Sequence, residues 1–134
     1  MGKLDNLIWA FLAAMLVFSG IDKLVHYQGF INAINDYRIL PLPMGPFLAP
    51  LIISAELAIA LGLCRSSWRR AAGLHSAVLL LIFTLGWTAN WTLGSRGICG
   101  CWFSINMVDD EAHLVLNLIL IVLSIFVWLS TAKT

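Results

Sequence analysis

Two of the chain's three cysteines, Cys99 and Cys101, flank a single glycine in the stretch Arg96-Gly97-Ile98-Cys99-Gly100-Cys101-Trp102. A Cys-x-Cys pair closes a disulfide only by bending a very short piece of backbone, and the central glycine permits the unusual angles this requires. So small a ring is expected to be more reducible than a structural bridge, which suits it to exchange. Arg96, and His113 when protonated, would favour the thiolate that exchange needs. The same atoms admit two other uses. One is a structural bridge that pins the loop; the other is soft metal ligation completed by His26 or His113. A closed zinc site takes four ligands, and Cys-x-Cys is tighter than the usual ligand spacing, so no metal site is expected.

The remaining residues must build a scaffold for this loop in lipid. The chain has 134 residues, 60% hydrophobic and 11% charged, against roughly 25% charged in a soluble domain. A formal net charge of +1 gives no reason to expect nucleic acid. A spanning helix needs about 20 apolar residues, and the stretches 4–25, 47–63, 71–93 and 112–130 qualify or come close. The expected fold is all-α, an integral membrane four-helix bundle forming a single domain over residues 1–134. The first run follows Lys3, but it is long for a signal peptide and lacks a clear small-residue cleavage site; it is read as a span.

Lys and Arg near span ends favour the cytoplasm. With both termini inside, the inner side receives Lys3, Arg65, Arg69, Arg70 and Lys133, and the outer side Lys23, Arg38 and Arg96. The Arg65–Arg70 turn decides for N-in and C-in, which turns the Cys-Gly-Cys loop outward. Trp9, Trp68 and Trp128 then fall near the inner interface, and Trp87, Trp91 and Trp102 near the outer one, as aromatic belts would. Cys64 lies across the membrane from the pair and is left out of the chemistry.

Several polar residues map to the outer layer beside the loop. Asp22 and His26 are four apart near the end of the first span, and His113 and Asn117 repeat that spacing in the last. Asn90 is level with the loop. Lys23 has two readings: it snorkels to the headgroups, or with Arg96 and His113 it stabilises anionic thiolate or quinol forms. Glu56 lies close to mid-membrane depth, where an acid must be neutral, paired or facing a cavity; proton relay, quinone contact and a helix–helix hydrogen bond are all open to it. Between the first two spans, Phe30, Ile34 and Tyr37 recur at helical spacing, which predicts a short helix on the outer interface. Leu40-Pro41-Leu42-Pro43 ends it. It would act as a cover over the bundle mouth or as a simple anchor.

The chain resembles the MauE/DoxX group of redox-associated membrane proteins, the MauE branch in particular. The resemblance rests on Ser19-Gly20-Ile21-Asp22-Lys23-Leu24 closing the first span, Glu56 followed by Leu61-Gly62-Leu63, and Arg96 shortly before Cys99-Gly100-Cys101. The branch typically continues Cys-Gly-Cys-Phe-Gly, where this chain has Trp102-Phe103-Ser104; that departure bears on the loop's partner surface more than on its thiols. The resemblance implies a multi-pass protein of the bacterial inner membrane that forms or shuffles disulfides in exported proteins. A periplasmic thioredoxin-like or disulfide-rich protein would be its partner. Quinone-linked relatives in the group point to a quinone as a membrane carrier, with Lys23, Glu56, Asn90, Asn117, His26 and Asp22 as candidate contacts or proton relays. Two other function classes fit the same sequence: a non-enzymatic assembly subunit whose disulfide only shapes the loop, and a small metal- or solute-handling protein.

Overall fold

The computed structural model describes residues 2–37, 40–41, 43–93 and 110–132, with backbone alone at residues 110, 111 and 113. Among these are α1 (Lys3–Val25), α2 (Tyr27–Asn35), α3 (Gly45–Cys64), α4 (Arg69–Thr92) and α5 (Asp110–Ala132), and no strand. The four long helices carry mean hydropathies of 1.8, 2.1, 1.6 and 2.5 over their most apolar windows. Each is long and apolar enough to cross a bilayer, so the chain is an all-helical, multi-pass membrane protein. The helices α3, α4 and α5 start a residue or two earlier than the apolar runs alone suggest. Backbone polar groups near lipid need partners within the segment, so helix continues into polar flanks such as Arg69 and Arg70.

The side-chain distribution is inverted relative to a soluble bundle. Leu7, Phe47, Leu51, Leu61 and Val122 face outward, whereas Ser19, Asp22, Lys23, Glu56, Ser76, Asn90, Asn117 and Ser124 are buried. Lipid tails gain nothing from hiding leucine, so helix association relies on close packing and hydrogen bonds between small polar residues. The pair α4–α5 illustrates this. A Cβ on Gly73 would lie 3.1 Å from the backbone nitrogen of Trp128 and 3.2 Å from the carbonyl of Ser124. One turn on, the Ser76 and Ser124 hydroxyls meet at 3.0 Å. The pair α1–α3 uses Gly20 in the same way, against Leu57.

Arg69 closes one end of the bundle. Its Nε donates to the carbonyl of Leu63 at 2.8 Å, at the C-terminus of α3, and its guanidinium lies 4.1 Å from the Trp9 ring centroid. Cys64 is exposed at this end. Phe83 of α4 sits beside Lys23 of α1, as many residues beyond Arg69 as Lys23 is beyond Trp9. The two helices therefore run in the same direction, and α4 finishes at the end of the bundle where α1 does.

The short helix expected from Phe30, Ile34 and Tyr37 is α2, but it is more than an anchor resting on lipid. Phe30, Ile31 and Ile34 are buried in a cluster with Ala49 and Ile53 of α3. Its other fastening is at Gly45, whose N–H donates to Asn35 Oδ1 at 2.8 Å. Trp87 is buried, and stacks on the exposed Trp91 at 5.9 Å between centroids.

Candidate functional site

Ser19 and Lys23 are one turn apart on α1 and both face α3. The Lys23 ammonium lies 3.1 Å from Glu56 Oε1 and 3.2 Å from Oε2, and it also donates to the Ser19 hydroxyl. Ser19 in turn donates to Glu56 Oε1 at 3.0 Å. Lys23 is 1% exposed and Glu56 2%. An ammonium has three protons to place and a carboxylate two oxygens to satisfy; the triangle of Ser19, Lys23 and Glu56 does both. The rings of Phe30 from α2 and Phe83 from α4 flank the ammonium, at 5.5 and 5.7 Å from their centroids. Four helices thus converge on one charge.

This burial rules out one reading of Lys23. It does not snorkel to the headgroups. The cause lies in helix geometry: Cα–Cβ bonds tilt toward the helix N-terminus. A lysine near the C-terminal end of α1 is therefore directed back into the bundle, toward Ser19 one turn below. Glu56, in turn, takes its partner from another helix. Of the uses open to Glu56, the structure displays helix pairing, and as an ion pair.

Asp22 is buried, and its Oδ1 lies 3.3 Å from Nδ1 of His26, whose side chain is 47% exposed. His26 Nδ1 is also 3.1 Å from the Asp22 carbonyl. This pair links the interior to the bundle end. Asn117 is buried, and with Ser19, Glu56 and Phe83 it lines a void of about 10 Å³, about the smallest that holds one water. Asn90 is buried two turns beyond Phe83 on α4. Thr84 and Thr88, by contrast, turn their hydroxyls to their own helix, at Leu80 and Thr84 carbonyls 2.8 and 2.7 Å away.

A larger cavity of about 410 Å³ opens beside the triad between α2, α3 and α4. Its walls are apolar, with Phe30, Tyr37, Ile52, Phe83 and Gly86 among them, and among the described residues Lys23 supplies the only charge.

Arg96, Cys99 and Cys101 lie outside the described residues, as does the side chain of His113. Their segment joins Thr92 of α4 to Asp110 of α5. It therefore leaves and re-enters the bundle at the end where α1 stops. Sequence reasoning missed the Lys23–Glu56 pairing. A signal existed: Ser19 and Lys23 at helical spacing present one polar face to whichever helix carries the counter-charge.

The family model described as "Methylamine utilisation protein MauE" matches residues 1–130. A curated relative, the methylamine utilization protein MauE of Paracoccus denitrificans, is 31% identical over 99 residues, which is 71% of this chain and 53% of the relative. The chain spans about half the length of that relative. No solved structure matches. Four apolar spans and a match running through Lys23, Glu56 and Cys99-Gly100-Cys101 lead to one assignment: the chain belongs to the MauE family.

Proposed function

We propose that this chain is an inner-membrane thiol–disulfide redox protein whose Cys99 and Cys101 exchange with a periplasmic thiol partner. The observation that carries the reading is topological. The helix ends that flank the Cys-Gly-Cys segment, Thr92 of α4 and Asp110 of α5, belong to the bundle end that holds Asp22 and His26, and Asp22 directly precedes Lys23 of the buried ion pair with Glu56. In the exchange, a Cys thiolate attacks one sulfur of a partner disulfide and forms a mixed disulfide. The second Cys thiolate then displaces the partner's thiolate, closing the ring as the partner takes up two electrons; the reverse sequence oxidises the partner. Arg96 and His113 would stabilise the thiolate, and the family's designation for methylamine utilisation supports a partner serving that process.

The test is alkylation mass-tagging of the chain in its native membrane, with the partner present and after its removal. Cys99 and Cys101 are expected to shift together between fully tagged and untagged forms while Cys64 does not change. A pair locked in one state throughout would sink the proposal. In the Cys99→Ser/Cys101→Ser variant, disulfide formation in the partner should be lost at normal expression; a partner that still acquires its disulfides would favour the assembly role instead. The orientation is checked on intact spheroplasts. After reduction, an impermeant maleimide should reach Cys99 and Cys101, whereas Cys64, at the opposite end of the bundle, should label only after permeabilisation.

A further inference from the structure

The cavity beside Lys23 has no part in the exchange just described. It measures about 410 Å³ and lies between α2, α3 and α4. Of the described residues that line it, only Lys23 and Tyr37 have polar side-chain atoms. The Lys23 ammonium is 1% exposed and already bonded to Ser19 and both Glu56 oxygens, so it offers an occupant no donor. A space walled in this way stays dry, because a water inside it needs two to four polar partners. Nor is it stable empty: a wall with no atoms against it forfeits its dispersion contacts, and the loss grows with the volume. Exposed Leu51 and Ile82 belong to the same lining, on helices long and apolar enough to cross a bilayer. The space is therefore open to the hydrocarbon, and what fills it comes from there.

Depth selects which part of a lipid enters. On α3 the lining runs from Leu48 to Ala55, and on α4, which runs the opposite way, from Gly86 back to Leu79. Seven residues of helix rise about 10 Å, so the cavity starts near the bundle end where α1 stops and reaches toward mid-membrane. One leaflet contributes about 15 Å of hydrocarbon. The space thus takes a chain from the near leaflet and does not cross to the other.

We propose that this cavity is a site for one acyl chain of a membrane phospholipid, drawn from the leaflet at the end where α1 stops, the outer one in the orientation proposed above. The glycerol end of the chain lies by Tyr37 and Gly86, which approach each other there, and its methyl end by Ala55 and Leu79. Among the described residues that line the cavity no open charge meets the headgroup, so the site reads the chain and is indifferent to the head. Phe30 and Ile34 belong both to this wall and to the cluster that seats α2 on α3. The bound chain therefore also braces α2 against the bundle.

The experiment places the full chain in nanodiscs whose phospholipid carries a diazirine on one acyl chain, either near the glycerol or near the methyl end. After irradiation, peptide mass spectrometry locates the adducts. The methyl-end probe is expected on Ala55 and Leu79 and the glycerol-end probe on Tyr37 and Gly86. Surrounding lipid should also mark outward-facing Leu61 and Val122. Phosphatidylethanolamine and phosphatidylglycerol probes should agree within about twofold. Gly86→Leu should cut the adducts on Ala55 and Leu79 at least tenfold and leave those on Leu61 and Val122 unchanged. Its added side chain has room to form, because among the described residues a Cβ there meets nothing nearer than Tyr37 Cε2 at 3.8 Å. Ala55→Phe fills the cavity from α3 and should cut the adducts on Leu79 likewise, so the result does not hang on the folding of one variant. Ala55 and Leu79 unmarked in the wild type, adducts persisting on Leu79 in either variant, the glycerol-end probe reaching deepest, or a tenfold preference for one headgroup would each overturn the assignment.

Discussion

Replacing Lys23 with Met is expected to lower stability by about 3–5 kcal/mol, the cost of removing one partner from a buried ion pair. The loss comes less from the missing contact than from what stays behind. Glu56 would retain Ser19 as a hydrogen-bond donor but lose its counter-charge, and at 2% exposure the void of about 10 Å³ beside it leaves room for one water at most. Changing both partners should therefore do less harm than changing one. In Lys23→Met/Glu56→Gln the amide can still accept from Ser19, and no charge is left inside; most of the loss should return, with a coupling energy of about 2–3 kcal/mol. Thermal unfolding of the four proteins in mild detergent measures the cycle. Additive losses, or a Lys23→Met variant as stable as the wild type, would mean that the lysine reaches the headgroups and that Glu56 does not depend on it.

How much of this was legible in the sequence differs from residue to residue. The spans were, because hydrocarbon thickness converts directly into a count of apolar residues. The short helix α2 was, from Phe30 and Ile34 one turn apart. Its docking was not, because amphipathic spacing is the same for a helix lying on lipid and one lying on α3. Ile31, the third buried residue of that face, completes an apolar stripe that only the position of Ala49 and Ile53 explains. The depth of Glu56 was legible and its partner was not. Periodicity orders residues within one helix and carries no register between helices, so matching Lys23 to Glu56 required the packing of Gly20 on Leu57 just beside them. Asp22, Asn90 and Asn117 were assigned to one polar layer from four-residue spacing and depth. All three are buried, but Asn117 sits lower, level with Phe83 and Glu56, and Asn90 nearer the helix end. Trp87 shows the limit of belt statistics: an indole at interface depth can equally face the bundle, and Trp87 is part of the buried cluster that holds Leu80 and Leu120.

Gly45→Val should detach α2 from the bundle without disturbing the ion pair. A Cβ at position 45 would lie 2.5 Å from the carbonyl oxygen of Ile31 and 2.6 Å from Asn35 Oδ1. The first is backbone, and the second is held at 2.8 Å by the N–H of Gly45 itself, so neither can step aside. Overpacking of this kind costs about 1–3 kcal/mol, and relief comes by lifting α2 off α3. Phe30, Ile34 and Tyr37 would move with it, and these form one wall of the cavity beside Lys23. Gly86→Ala is the matched control on the opposite wall: among the described residues its Cβ meets only Tyr37 Cε2 at 3.8 Å, and a mid-helix glycine replaced by alanine gains up to about 1 kcal/mol. Hydrogen exchange should therefore show the amides of α2 losing protection in Gly45→Val while those of α1 and α3 around Lys23 and Glu56 keep theirs. In Gly86→Ala the amides of α2 should keep their protection. If α2 stays protected in Gly45→Val, the contact at Ile31 is softer than its distance implies.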